Sequence, residues 1–171
     1  MCISMNIIMS PHDDDWIIGC SSLFLSDKVI NAVIYTAPIT GVRNSESYSC
    51  SQKVGFKAFM NVNGLKSTDI KDILTKIGVK KGDNVFVPAP TDTHPEHTKA
   101  RIIAELFQEE FGYELVYYTT EMNVWWKSEL SKLMSENKKE LLNEMCTSQK
   151  SLWKYEHKYF LFEGWIHKVR I

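Results

Sequence analysis

At 171 residues, with 44% apolar and 24% charged side chains, the chain can bury a core of its own and is no disordered segment. A formal charge of −1 excludes the basic footprint of a nucleic-acid or anionic-membrane binder. No apolar run approaches the ~20 residues that span a bilayer.

In chain order, residues 5–9 (MNIIM) read as a buried strand rather than a signal peptide, since the start has no basic leader and no small-residue cleavage site. Residues 16–25 read as a helix, and 30–36 as a second strand ended by Pro38 and Gly41. Residues 44–54 form a polar helix closing at Gly55, followed by strand-like FKAFMNV at 56–62. The next helix begins near Ser67, carries Ile70, Ile73, Leu74 and Ile77 at helical spacing, and stops at Gly78. NVFVP (84–88) is a strand, and 97–110 a helix with Ile102, Ile103, Leu106 and Phe107 on one face. Residues 113–119 form another strand; 127–145 read as helical and 158–166 as strand-like. No repeat or linker divides the sequence, so one domain over 1–171 is expected. Alternating strands and helices predict an α/β fold with a mainly parallel sheet, whose function gathers where strands end.

Cys2, Cys20, Cys50 and Cys146 are scattered without a CxxC pair, which fits free thiols in a reducing cytoplasm. Of five histidines, three fall in two short motifs, each just after a strand. The first is Ser10-Pro11-His12-Asp13-Asp14-Asp15. Three adjacent carboxylates resist shared ionisation, and a bound cation removes that penalty. The second is Thr93-His94-Pro95-Glu96-His97, preceded by Asp92. Alone, an HxxH or an Asp triplet is ordinary surface decoration. Together at two strand ends they offer the nitrogen and oxygen donors of a zinc site, which for catalysis needs three protein ligands and an open position. Spacing alone leaves open which aspartates act.

SPHDDDWIIGC resembles the first signature of the LmbE-like (PIG-L type) N-deacetylases, [AS]-x-H-P-D-D-E followed by an apolar pair and Gly-Cys; THPEH resembles the second, H-P-D-H. Arg43, Glu46, Cys50, Val54 and Gly55 fall at the spacings of the family's R-x-x-E-x-x-x-A-x-x-x-L-G, and Ser148-Gln149 resembles its S-Q. The likeness runs from residue 5 to about 163. It implies a Rossmann-like three-layer sandwich, the LmbE-like fold. It also implies a metal-dependent amidohydrolase that removes the N-acetyl group of an N-acetylglucosamine-type sugar. Carried over, His12, Asp15 and His97 hold one zinc ion per chain. Asp14 is the general base, and His94 the oxyanion stabiliser and acid. Arg43 binds the substrate, an amino-sugar small molecule, while Asp92, Glu96 and Asp13 stand behind these groups, Asp92 or Glu96 orienting His94. A homo-oligomer is left open.

Asp13 stands where the family has proline, Trp16 where it has glutamate, and Glu96 where it has aspartate. Asp13 and Asp14 are an alternative base and ligand, but the pair Asp14 and Asp15 keeps Gly19-Cys20 in register. Trp16 is expected in the core, and the aromatics Trp125, Trp126, Trp153, Tyr155, Tyr159 and Trp165 in a core or interface. His157 and His167 are expected to be structural. Two other classes compete. A catalytically silent metal-binding protein would keep the fold without turnover. A magnesium-binding receiver or phosphoryl-transfer domain needs a further aspartate at a later strand end, which FKAFMNVNG does not offer.

Overall fold

The computed structural model describes residues 4–26, 28–120, 127–149 and 162–167, the side chains of 166 and 167 excepted. β1 (Asn6–Ser10), β2 (Ala32–Tyr35), β3 (Lys57–Phe59), β4 (Asn84–Pro88) and β5 (Glu114–Tyr118) pair in parallel in the order β3-β2-β1-β4-β5. The short apolar runs that form the central strands β1, β2, β4 and β5 are buried on both faces. After the two-residue strands β6 (Ser128–Glu129) and β7 (Phe162–Glu163), which pair with each other, β8 (Trp165–His167) adds an antiparallel strand beside β5. This is the expected mainly parallel α/β sheet.

Successive strand side chains alternate between two cores, as the period of two requires. Ile8, Val33, Tyr35, Phe86, Val116 and Tyr118 face α1 (Asp15–Leu25), α2 (Val42–Val54) and α5 (Lys132–Met145). Ile7, Met9, Ile34, Val85, Val87 and Leu115 face α3 (Ser67–Ile77) and α4 (Pro95–Phe111). Trp16 is fully buried and meets Phe56 edge-on at 5.3 Å, so it belongs to the core. Gly19 lets α1 close on the sheet: a Cβ there would lie 2.3 Å from the Tyr118 ring.

Several boundaries differ from expectation. Strand β3 is only three residues long, not seven. Helix α4 starts at Pro95, whose missing N–H costs nothing at the first helical position. Its buried stripe is His97, Ala100, Ile103, Ala104 and Phe107. Ile102 and Leu106 lie one row over and are 52% and 65% exposed. The stretch 127–131 is not helical: it holds β6, and the Ser131 hydroxyl then caps α5 by accepting from the Met134 N–H. Cys20, Cys50 and Cys146 are buried free thiols. No helix among the described residues is long and apolar enough to cross a membrane. Trp125, Trp126, Trp153, Tyr155, His157 and Tyr159 lie outside the described residues, as do Cys2 and the start of the strand expected at 158–166. Trp165 packs edge-on against Phe86 at 5.7 Å.

Strand order reverses between β1 and β4. From β1 the chain moves outward to β2, and from β4 outward to β5 on the other side. The loops leaving these two central strands therefore part and open a crevice, the place where open α/β sheets bind ligands. Residues 11–14 follow β1 and residues 89–94 follow β4. Both histidine motifs meet there.

Candidate metal centre

The turn after β1 is held by its own polar groups. The Ser10 hydroxyl donates to the His12 carbonyl at 2.6 Å and accepts from the Trp16 N–H at 3.1 Å. Asp15, the first residue of α1, accepts the His12 backbone N–H on Oδ2 at 2.8 Å. That oxygen also lies 3.1 Å from His12 Nδ1 and 3.2 Å from His97 Nε2. The two ring nitrogens are 3.4 Å apart. His12, Asp15 and His97 thus bring one donor atom each to a common point, and they are the cluster of this kind found among the described residues.

The spacing can be compared with a metal's demand. Zinc bonds of about 2.0–2.1 Å in tetrahedral array place any two donors about 3.3 Å apart. The three observed separations, 3.1, 3.2 and 3.4 Å, are edges of that size. The donor set of two imidazoles and one carboxylate suits zinc, and the His12 side chain is 25% exposed, which leaves the point accessible from solvent.

Charge is arranged accordingly. Burial works against ionising Asp15, yet the two imidazoles hold its carboxyl well below the usual range. Burial also works against a charged His97, but Asp15 and Asp92 push its ring up to about 10; Asp15 raises His12 in the same way. Behind His97, Nδ1 donates to Asp92 Oδ2 at 2.5 Å, which aims Nε2 at Asp15 and His12. Thr120, just past β5, donates to the same Asp92 oxygen at 2.8 Å.

Asp92 is therefore placed otherwise than expected. Its ring partner is His97, and it reaches His94 only by accepting the backbone N–H at 3.1 Å. Glu96 pairs with Lys99 at 3.6 Å rather than with His94. The reason is local: Pro95 starts α4, so His94 becomes its exposed cap residue while His97, two residues into the helix, turns inward. The His94 ring sits 5.3 Å from that of His12 and 4.8 Å from that of His97, beside the donor cluster.

The remaining two aspartates face the other way. Asp13 Oδ1 accepts from Arg43 Nε at 2.6 Å, from Arg43 Nη2, and from Gln149 Nε2 at 2.8 Å. Burial raises the Asp13 carboxyl even so. Asp14 lies 3.6 Å from Arg43 Nη2. Burial, then the charges of Asp15 and Asp13, push its carboxyl up to about 7. Arg43, expected as a substrate contact, is thus gripped by Asp13 and one-third exposed. Gln149 and Thr120 had no assigned role from sequence. Gln149 belonged to the S-Q pair, and Thr120 stands at a strand end on the crevice rim, so motif and position were the available signals.

No family model and no curated protein matches the sequence. Solved structures do match in fold. A deacetylase of the A40926 pseudoaglycone superposes with a TM-score of 0.69 at 13% identity, over 98% of this chain and 99% of that one. The zinc-inhibited form of a teicoplanin deacetylase gives 0.68 at 11% identity, over 98% and 100%. A deacetylase–teicoplanin complex gives 0.61 at 10% identity, over 96% and 99%. At these identities the likeness establishes a shared fold.

Proposed function

We propose that the chain is a zinc-dependent N-deacetylase acting on an N-acetylglucosamine-type sugar or sugar conjugate. The observation that carries this reading is the His12–Asp15–His97 donor triangle, whose edges match a tetrahedral site, set at the switch point of a fold shared with deacetylases. Zinc held by these residues would acidify a water and polarise a carbonyl.

The chain's own groups do the rest. Asp92 fixes the tautomer of His97 and keeps its Nε2 available. Asp14, whose carboxyl is pushed up to about 7, is a base matched to neutral pH and takes the proton from the attacking water. His94, exposed at the mouth beside the other two rings, steadies the developing oxyanion and returns a proton to the leaving amine. Arg43 presents the exposed part of its guanidinium to a hydroxyl or anionic group of the sugar.

The test is elemental analysis of the purified chain together with acetate release from a panel of N-acetylated amino sugars. About one zinc per chain and turnover of at least one panel member are expected. Asp14→Asn should keep the zinc and lose about 10²-fold or more in kcat. Tight zinc without turnover on any sugar would point to a silent metal-binding protein, and full activity in Asp14→Asn would remove the base from Asp14.

A further inference from the structure

We propose that the single turn at Thr147–Gln149 is a latch, with Glu46 and Gln149 as positioning residues that aim Arg43 at Asp13 and keep it off Asp14. The kinetic part of this inference rests on the deacetylase reading; the structural part does not.

Helix α2 carries a buried polar stripe that its core position does not explain: Glu46, Ser47 and Ser51, beside Cys50. Glu46 uses both oxygens on the 147–149 turn. Oε1 accepts the Thr147 hydroxyl at 2.5 Å and the Ser148 N–H at 2.8 Å; Oε2 accepts the Ser148 hydroxyl at 2.6 Å. Three donors on one carboxylate fix the turn's orientation, and those bonds hold Glu46 below the usual carboxylate range despite burial. The next residue, Gln149, is 7% exposed and sends its amide to Asp13 Oδ1.

Arg43 lies three residues before Glu46 on the same helix, and it reaches the same Asp13 oxygen from the other side. A ring of contacts results: Asp13 to Arg43, along α2 to Glu46, to Ser148, to Gln149 and back to Asp13. The ring matters because Arg43 has two carboxylates in reach, Asp13 and, at 3.6 Å, Asp14. Among the described residues Asp13 Oδ2 has no hydrogen-bond partner, so Gln149 and Arg43, both on Oδ1, set the rotation of that carboxylate. Without Gln149, the Asp13 carboxylate is held by Arg43 alone and turns with it, which lets the guanidinium close on Asp14. The base is then occupied by a cation where it must accept a proton. The latch thus separates two jobs of one acidic triplet, using a residue 136 positions away in sequence.

The experiment is a double-mutant cycle of Gln149→Ala and Glu46→Gln on the full chain, with three readouts. Nitrogen-15 NMR follows the Arg43 Nε–H, resolvable because the chain has only Arg43, Arg101 and Arg170. A slowly exchanging Arg43 signal is expected in the wild type, and its loss in either single variant. Zinc content should stay unchanged, while kcat falls about tenfold or more in each single variant. The double variant should lose no more than one single, since both act through one contact. If Gln149→Ala does not fold, Gln149→Met keeps the volume and removes the donor, with the same results expected. An Arg43 signal that persists in the variants, or kcat losses that multiply, overturns the latch. A wild type that releases no acetate overturns the deacetylase reading instead, and the NMR cycle then decides the latch by itself.

Discussion

Replacing Asp92 by asparagine removes one charge and almost no volume, and the structure forces the outcome. Asp92 accepts three hydrogen bonds: from the His94 N–H on Oδ1, and from His97 Nδ1 and Thr120 on Oδ2. Asparagine has one accepting oxygen. If that oxygen stays with the His94 N–H, the new amide NH2 faces His97 Nδ1 and donates to it. The ring must then carry its proton on Nε2, the atom that points at Asp15 and His12. If the amide flips, the NH2 confronts the His94 N–H, and a buried donor is left unpaired at a cost of about 1–3 kcal/mol. That range is about 5- to 150-fold in affinity, and it brackets the 10–100-fold that losing a partner behind a ligand usually costs. The assay is zinc competition against a chromophoric chelator at several pH values. A second effect gives the loss its shape. Asp92 is one of the groups pushing the His97 ring up to about 10, so the variant ring competes less for protons. The affinity deficit should therefore be smallest at low pH and widen as pH rises. An affinity within twofold of the wild type at pH 9, in a variant with an unchanged melting temperature, would refute the role of Asp92 and weaken that of His97.

Three further outcomes are expected. Zinc uptake at pH 7 should release protons, because the His97 ring that must bind through a lone pair sits at about 10 in the metal-free chain. Affinity should then rise about tenfold per pH unit for each proton released, and calorimetry in buffers of different ionisation enthalpy would count them; a pH-independent affinity would contradict the electrostatics. Gly19→Ala should destabilise the chain by about 1–3 kcal/mol or more, read from urea unfolding, because its Cβ would lie 2.3 Å from the fully buried Tyr118 ring, which the Tyr118 hydroxyl ties to the Met9 carbonyl. Lys138→Met should cost about 3–5 kcal/mol by the same assay. The Lys138 ammonium is wholly buried, donates to the Ile18 and Phe162 carbonyls at 2.5 and 3.0 Å, and lies 3.3 Å from Glu163, a buried carboxylate that would keep its Ser21 and Ser22 donors but lose its counter-charge. A change under 1 kcal/mol would mean that the pair contributes nothing net.

The parts legible in sequence are those encoded within a few residues. MNIIM, INAVIYT and NVFVP announce buried strands, and HDDD and HPEH sit within a few residues of the ends of two of them, so the crevice and its donors follow once the strand order is known. The alternation rule fails where the choice is between two neighbouring rows of one helix. Ile102 and Leu106 have the same spacing as the buried residues of α4, and only the sheet decides which row it covers. Long-range polar contacts were not legible either. Arg43 meets Asp13 across 30 positions and Gln149 meets it across 136, and nothing local in either residue names its partner. The spacing of Arg43 and Glu46 was visible as a motif; that one grips the acidic turn and the other grips Gln149's turn was not.

Three consecutive aspartates would repel one another if they shared an environment, and the fold instead gives each a different one. Asp13 is turned to a guanidinium and an amide. Asp15, at the start of α1 where the helix dipole favours negative charge, is turned to two imidazoles and held low. Asp14 lies between them at the cap of α1 without a side-chain cap bond, and burial, with the charges of both neighbours added, raises its carboxyl to about 7. The residue with the weakest fixed partner is thereby the one whose proton affinity matches neutral water chemistry. Moving any partner redistributes the triplet. A cation drawn from Asp13 to Asp14 lowers the Asp14 carboxyl, and an imidazole lost from Asp15 leaves that neighbouring carboxylate less screened. Asp13, which stands in place of the proline of the resembling motif, is thus the residue that occupies Arg43; under the proposed function this is what leaves Asp14 able to accept a proton.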